Sequence, residues 1–149
     1  MTEQSRKELL DRTLSMINEP FANWKTYNDK MNSKLFIQKE NTGLKLMENE
    51  LPLFECEMSD SYLLISSDRI ISKINDEQNE MLISEIVKFG DEFEKDNIKP
   101  LGQDQPKTNL ISVYSHEGAR LIYKVDSWHP AHFTRILIGN IIKIFANNK

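Results

Sequence analysis

Cysteine is nearly absent from this chain: its 149 residues include one, Cys56. One cysteine cannot form an internal disulfide or supply a multi-cysteine zinc site. Cys56 lies between Glu55 and Glu57, and neighbouring carboxylates raise rather than lower the pKa of a thiol. We therefore expect Cys56 to be a buried structural thiol and not a reactive nucleophile.

Long apolar runs are also absent. No run approaches the ~18–20 residues that a membrane-spanning helix needs. Residues 1–7 are polar and contain no apolar core of a signal peptide. Together with the single cysteine, these absences predict a cytoplasmic protein. The net charge of −4 disfavours nucleic acid and anionic membranes as partners, because both require a basic surface.

Catalytic motifs are absent as well. The chain has no G-x-S-x-G, no H-E-x-x-H and no phosphate-binding glycine loop. Ser61, Ser66 and Ser67 fit turn geometry better than they fit nucleophilic activation. The neighbouring carboxylates of Asp91 and Glu92 would diverge on a strand. We therefore predict that the protein is not an enzyme.

One spacing resembles that of a metal site. Asp126, His129 and His132 recur every three residues around a predicted helix start, which can place ligands on one helical face. No second ligand cluster exists in the sequence. Helix capping by Asp126, with two surface histidines, accounts for the same residues. We predict no metal and no cofactor.

The charges are unevenly distributed. Residues 76–96 hold eight acids against two bases, whereas residues 119–149 hold five bases against one acid. One interpretation is two solvated faces of opposite sign. The other is a polarised protein that docks a basic partner on its acidic side.

Helical periodicity marks residues 1–32, which we predict to be a helical N-terminal extension. A first helix carries apolar residues at helical spacing: Leu9, Leu10, Leu14 and Ile17. Pro20 ends it and begins a second helix. The second helix has a stripe that we expect to pack in the core: Phe21, Trp24, Tyr27 and Met31.

Alternating periodicity marks residues 33–126 as a β-rich meander. Leu35 and Ile37 indicate a first strand, followed by a hairpin around residues 41–43 with 44–47 as its return. Seven strands then follow, at 53–58, 62–65, 70–74, 81–83, 86–93, 109–114 and 120–125. A loop at 94–107 separates the last two from the others, and loops of this length are often functional.

The remaining segment, 127–149, is predicted to be a capping helix. Its core covers residues 130–146 and carries a wide apolar stripe: Phe133, Ile136, Leu137, Ile141, Ile144 and Phe145. The predicted fold class is α+β, in one domain that spans residues 1–149.

Two short motifs and the order of elements carry a resemblance. Residues 62–71, YLLISSDRII, look like the strand–T/S-x-x-R–strand element of GRAM-type domains, and residues 84–86 look like their acidic–Ile step. Over about residues 53–147 the chain resembles the pleckstrin-homology-like superfamily, especially its bacterial and GRAM-type members. This resemblance implies a seven-stranded antiparallel, partly open barrel or bent sheet, with the C-terminal helix filling one end.

The same resemblance bears on function. Many members bind proteins or peptides, some bind phosphoinositides and few are enzymes. Lipid-binding members carry clustered bases near the first hairpin, where this chain mixes Lys39 and Lys45 with Glu40 and Glu48.

Three functional hypotheses follow. The first is a non-catalytic protein-interaction module, in the class that includes bacterial immunity proteins, which binds a basic partner through an acidic face. Its predicted partner-binding residues are Glu85, Asp91, Glu92, Phe93, Glu94 and Asp96. The alternative is a GRAM- or PH-type domain that binds lipid or a membrane surface. A hydrolase that uses the histidines is the third.

Overall fold

The computed structural model describes residues 2–16, 24, 32–39, 44–90, 108–126 and 129–147. These residues form two α-helices and eight strands, with a short 3-10 turn, Ile83–Glu85, between the fifth and sixth strands. The elements in chain order are α1 (Glu3–Ser15), β1 (Lys34–Ile37), β2 (Pro52–Glu57), β3 (Ser61–Ser66), β4 (Arg69–Ile74), β5 (Glu77–Leu82), β6 (Ile86–Phe89), β7 (Thr108–Ser115), β8 (Arg120–Asp126) and α2 (His129–Asn147).

The strands form two antiparallel sheets, one of order β1-β2-β3-β4-β5 and one of order β6-β7-β8. The predicted α+β class is confirmed. The seven strands predicted after residue 52 overlap β2 to β8, but the described strands divide between two sheets that form no closed barrel, so the expected partly open barrel or bent sheet is matched only in part. The reason is the 3-10 turn, which ends the β5 ladder, so that β6 begins a separate sheet instead of pairing with β5.

The core lies between the two sheets and α2. Phe54, Ile65 and Ile70 contribute from the first sheet, Ile111, Val113 and Tyr123 from the second, and Leu137 and Ile141 from α2. A side-chain hydrogen bond also joins the sheets, because Ser72 Oγ of β4 donates to the carbonyl of Ile122 in β8 at 2.7 Å. Both apolar packing and this polar contact therefore hold the two sheets together.

The buried face of α2 differs from the prediction at one position. Phe133, Leu137, Ile141 and Ile144 are buried as expected, but Ile136 is 42% exposed. At 3.6 residues per turn, Ile136 lies about 120° from the centre of the buried face. The face instead includes Ile138, whose side chain is fully buried.

The N-terminal helix packs into the domain. Thr2 caps α1 by accepting a hydrogen bond from the Ser5 backbone N–H at 3.0 Å, and Leu9 is fully buried in the common core. Leu14, predicted to share that face, is 53% exposed, because five residues along a helix rotate a side chain about 140° away from Leu9. At the end of α1, Asn140 of α2 donates to the sulfur of Met16 at 3.3 Å.

The second predicted helix is represented by one described residue. Trp24 is 7% exposed, as predicted, and its ring lies 5.5 Å from that of Phe133 and 5.8 Å from that of His129. Several predictions fall outside the described residues: Phe21, Tyr27 and Met31, the hairpin at 41–43, the strand beyond residue 90 and the loop at 94–107. Residues 44–47 are described and do not form the predicted strand.

Candidate acidic interface

The acidic segment is described as far as residue 90. Of the predicted partner-binding residues, Glu85 lies in the 3-10 turn with an exposed side chain. The others, namely Asp91, Glu92, Phe93, Glu94 and Asp96, lie outside the described residues. The described acids that precede Glu85 are Asp76, Glu77 and Glu80, and all three are exposed.

Strand β5 presents these acids. It begins directly after Asn75 and Asp76, whose φ angles of 48° and 70° make a two-residue turn of the kind that Asn and Asp tolerate. A turn was predicted over residues 75–79, but the observed turn contains only Asn75 and Asp76. The strand predicted at 81–83 begins earlier, at Glu77. Its first four residues are polar and exposed on both faces, so the chain shows no alternation there.

A groove beside β5 combines acids with exposed apolar groups. Its lining residues, which define the Met47–Leu82 groove, are Met47, Arg69, Glu80, Met81, Leu82 and Glu85, around a volume of about 280 Å³. Met47 is 45% exposed and Leu82 is 41% exposed. Exposed apolar side chains beside carboxylates are the composition of an interface with an apolar centre and a charged rim.

The floor of this groove is braced by Arg69. Its guanidinium donates to Glu50 at 2.9 Å, to Glu80 at 2.5 Å and to the carbonyl of Lys45 at 2.9 Å. Ser66 Oγ donates to Glu50 at 2.5 Å, so both ends of the Ser66–Arg69 motif hold the same carboxylate. This motif, noted in the sequence for its resemblance, is thus a rigid β3–β4 turn that fixes residues 45–50 against the sheet.

Glu50 is the buried centre of that brace. Burial alone would raise its pKa, but hydrogen bonds from Arg69, from Ser66 and from the Met47 backbone outweigh burial and lower the pKa below its usual value. Sequence reasoning missed this residue, and also Met47. The available signal was a lone arginine between two apolar strands, which requires a carboxylate partner when it is largely buried.

A second opening lies on the other face of β5. Ser72, Ile74, Asn75, Glu77 and Asn79 of the first sheet face Leu110, Arg120 and Ile122 of the second across about 390 Å³; we call this the inter-sheet cleft. The cleft exposes part of the space between the sheets. It gives β5 accessible surface on both faces, which explains why Glu77 and Asn79 are polar although they point toward the second sheet.

Asp126 was predicted to cap the C-terminal helix, and its described hydrogen-bond partners lie in another part of the chain. It is the last residue of β8, it is fully buried, and its carboxylate accepts hydrogen bonds from the backbone N–H groups of Asn32 (3.0 Å) and Ser33 (3.2 Å) and from Ser33 Oγ (2.5 Å). His129 and His132 are exposed. Across the described ranges, no three or more His, Cys, Asp or Glu side chains are placed to hold a metal ion.

The other residues considered for chemistry have structural surroundings. Cys56 is buried as predicted, and burial raises the pKa of its thiol to about 12. Ser66 and Ser67 are buried in the β3–β4 turn, where Ser67 Oγ donates to Asp68 at 2.8 Å and accepts from the Leu51 N–H at 3.0 Å. Both hydroxyls are therefore engaged in the hydrogen bonds that shape this turn.

No protein-family model, curated protein or solved structure matches this chain significantly. Neither described helix combines the length and the apolar content needed to cross a membrane.

Proposed function

We propose that this protein is a non-catalytic interaction module that binds a basic protein partner through the acidic surface of residues 76–96. The observation that carries the proposal is the Met47–Leu82 groove, where Glu80 and Glu85 border two exposed apolar side chains. The acids bring a basic partner to the surface, and Met47 with Leu82 supplies the apolar centre that affinity requires.

Apart from Glu80, which pairs with Arg69, the described acids of this surface have few contacts within the fold. The side chain of Asp76 is 99% exposed, and its Oδ1 lies 3.9 Å from Nζ of Lys73. Such an exposed ion pair contributes about 0–1 kcal/mol to the stability of a fold. Collected on one surface, however, carboxylates raise the association rate of a basic partner and disfavour acidic competitors. Recognition therefore explains this concentration of acids better than stability does.

The resemblance to pleckstrin-homology-like domains agrees with this proposal. The succession of seven strands, β2 to β8, followed by α2 supports the resemblance. Within the class of small acidic binding proteins, an immunity-type protein that neutralises a basic toxin domain fits the charge and the absence of a recognised catalytic motif.

Binding to a lipid or membrane surface is the rival outcome. Two of the bases near the C-terminus that would support it are engaged within the domain. Lys124 pairs with Asp60 at 2.6 Å, and the Arg135 guanidinium lies 5.1 Å from the ring of Phe89. Sedimentation with phosphoinositide-containing liposomes tests this outcome. Strong, salt-sensitive binding to the liposomes would favour a lipid ligand over a protein partner.

The charge-reversal experiment tests the proposal directly. Replacing Glu85, Asp91, Glu92 and Glu94 by lysine should slow association with the native partner at low salt and flatten or invert the salt dependence. Glu80 is left in place because it pairs with Arg69. The partner is first isolated from the native organism by pull-down and purified, and the rate is measured by stopped flow.

A matched control carries the same change of charge elsewhere. Lysine at Glu3, Glu8, Asp11 and Glu117 alters four exposed acids on α1 and on the β7–β8 turn. We expect this control to retain most of the wild-type rate. Equal rates for wild type, control and the acidic-surface variant would show that residues 76–96 are only solvated surface.

A further inference from the structure

Strand β5 forms one edge of the five-stranded sheet and pairs only with β4 among the described strands. The two-residue turn makes Ile74 and Glu77 the first hydrogen-bonded pair, and hydrogen-bonded pairs then recur at every second position. The bond from Ile83 N–H to the carbonyl of Asp68, at 2.9 Å, continues the same alternation.

This alternation fixes which backbone groups face outward. Gln78, Glu80 and Leu82 belong to the non-hydrogen-bonded pairs, so the N–H and C=O groups of Gln78 and Glu80 and the N–H of Leu82 point away from β4. The Leu82 carbonyl accepts the first hydrogen bond of the 3-10 turn that follows. In the described part of the chain, no other backbone group is hydrogen-bonded to these outward-facing groups. Strand β5 therefore presents an open row of donors and acceptors.

The edge lacks the usual protection against strand pairing. Its six residues contain no proline and no lysine, and its register with β4 runs without a bulge. Edge strands in natural proteins are commonly blunted by those devices. The only charges on β5 are the carboxylates of Glu77 and Glu80, which repel another acidic strand and attract a basic one.

Each face of this edge borders one of the two openings. On the outer face, Glu80 and Leu82 line the Met47–Leu82 groove. On the inner face, Glu77 and Asn79 line the inter-sheet cleft. Because side chains alternate along a strand, a segment added to β5 would direct successive side chains into these two openings.

We propose that β5 is a docking edge, to which an extended basic segment of a partner protein adds as a sixth strand of the first sheet. Main-chain hydrogen bonds to Gln78, Glu80 and Leu82 supply the affinity. Specificity comes from apolar side chains that enter the inter-sheet cleft and from a lysine or arginine on the other face, beside Glu80 and Glu85. This inference rests on the proposed function and names the form in which the partner is recognised.

A second copy of this chain is a poorer occupant of the edge. Pairing of β5 with another β5 would bring Asp76, Glu77 and Glu80 of both chains together on one short ribbon. Like charges on adjacent strands destabilise a sheet, so charge complementarity favours a basic segment over self-association.

The experiment uses the complete chain and a random peptide library with segments of about 12 residues, displayed on phage. Enriched peptides are synthesised, and their affinities are measured by fluorescence anisotropy for the wild type, Gln78→Pro and Gln78→Ala. Proline removes an N–H that points away from β4, so the β4–β5 ladder keeps its hydrogen bonds. We expect Gln78→Pro to weaken binding roughly tenfold, and Gln78→Ala to stay within about twofold of the wild type.

Hydrogen exchange gives a second measurement that does not depend on the proline variant remaining folded. In the wild-type chain, saturating peptide should slow exchange of the Gln78, Glu80 and Leu82 amides. The inference is overturned if no peptide is enriched, if those amides exchange as fast with peptide as without it, or if folded Gln78→Pro binds as well as Gln78→Ala. Protection of the same amides by dimerisation, seen in sedimentation velocity, would assign the edge to a second copy and also overturn it.

A Glu85→Lys variant separates this inference from the proposed function. If the variant slows peptide association while the β5 amides remain unprotected, recognition by the acidic surface stands and strand addition fails. If the amides are protected but Glu85→Lys has no effect on the rate, strand addition stands and electrostatic recognition fails.

Discussion

The carboxylates of this protein belong to two regions with opposite physical roles. Glu50 and Asp126 are buried, and each accepts several hydrogen bonds that join segments distant in the chain. Glu77 and Glu85 are exposed on or beside an open strand edge. A buried carboxylate costs stability unless hydrogen bonds compensate its burial, whereas an exposed one is free to meet a partner from another molecule. The comparison separates acids that hold the fold from acids available for recognition.

A buried carboxylate without partners should produce the largest effect. Ile141→Asp places a charge in the core, because Ile141 is fully buried on α2. We expect the unfolding free energy to fall by more than about 4 kcal/mol, which leaves the domain largely unfolded. Ile136→Asp is the matched control on the exposed side of the same helix and should cost about 1 kcal/mol. A cooperative melt close to wild type for Ile141→Asp would contradict the buried face assigned to α2.

Removal of the Asp126 carboxylate should have the next largest effect. Asp126→Ala leaves the N–H groups of Asn32 and Ser33 without their acceptor, so we expect a loss of about 3 kcal/mol in urea unfolding. Asp11→Ala, which removes an exposed acid from α1, should change stability by less than about 0.5 kcal/mol. If the two variants unfold at the same urea concentration, Asp126 does not brace the domain.

A comparison within one ion-pair network should give a smaller difference. Arg69 pairs with Glu50, whose side chain is fully buried, and with Glu80, whose side chain is 56% exposed. Glu50→Ala should cost about 2–3 kcal/mol, because it removes the buried carboxylate to which both Arg69 and Ser66 donate, whereas Glu80→Ala should cost less than about 1 kcal/mol. Equal losses in denaturant unfolding would show that exposure does not decide the contribution of these acids.

These examples show which features sequence periodicity can reveal. Alternation predicted β2 because Phe54 and Cys56 face the core. It missed the start of β5 because that edge strand is open on both faces and carries Glu77 and Asn79 toward the inter-sheet cleft. Alternation of apolar and polar residues predicts a strand, and which of its residues are exposed, only where one face of the strand is buried.

Contacts between distant residues were beyond such patterns. Asp126 precedes a helix, which is the usual position of a cap, yet its partners lie 93 and 94 residues earlier in the chain. Met47 and Leu82 meet in one groove only because Arg69 holds residues 45–50 against the sheet. The charge distribution of residues 76–96 was visible in the sequence, but the apolar centre and the open edge required the fold.

The response to pH should distinguish two buried carboxylates, Glu50 just before β2 and Glu55 within it. The pKa of Glu50 is lowered, so its charged form stabilises the fold above the unfolded-state pKa, and this stabilisation is lost as the pH falls through the folded-state pKa. The pKa of Glu55 is instead raised by burial, which outweighs the hydrogen bond from Tyr62. Ionisation of Glu55 therefore costs stability as the pH rises above the unfolded-state value of 4.5.

The unfolding free energies of glutamine variants test whether the two carboxylates have these opposite effects on stability. In urea unfolding at neutral pH, Glu50→Gln should be less stable than wild type and Glu55→Gln more stable, because glutamine resembles a protonated carboxyl group that stays neutral. Toward acid pH both differences should shrink, since the wild-type carboxyls become protonated as well. Differences of the same sign at neutral pH, or differences that persist unchanged at acid pH, would show that the hydrogen bonds around Glu50 do not outweigh its burial. The test depends on the sign of the two stability changes, because a general change in packing would not give Glu50→Gln and Glu55→Gln opposite signs.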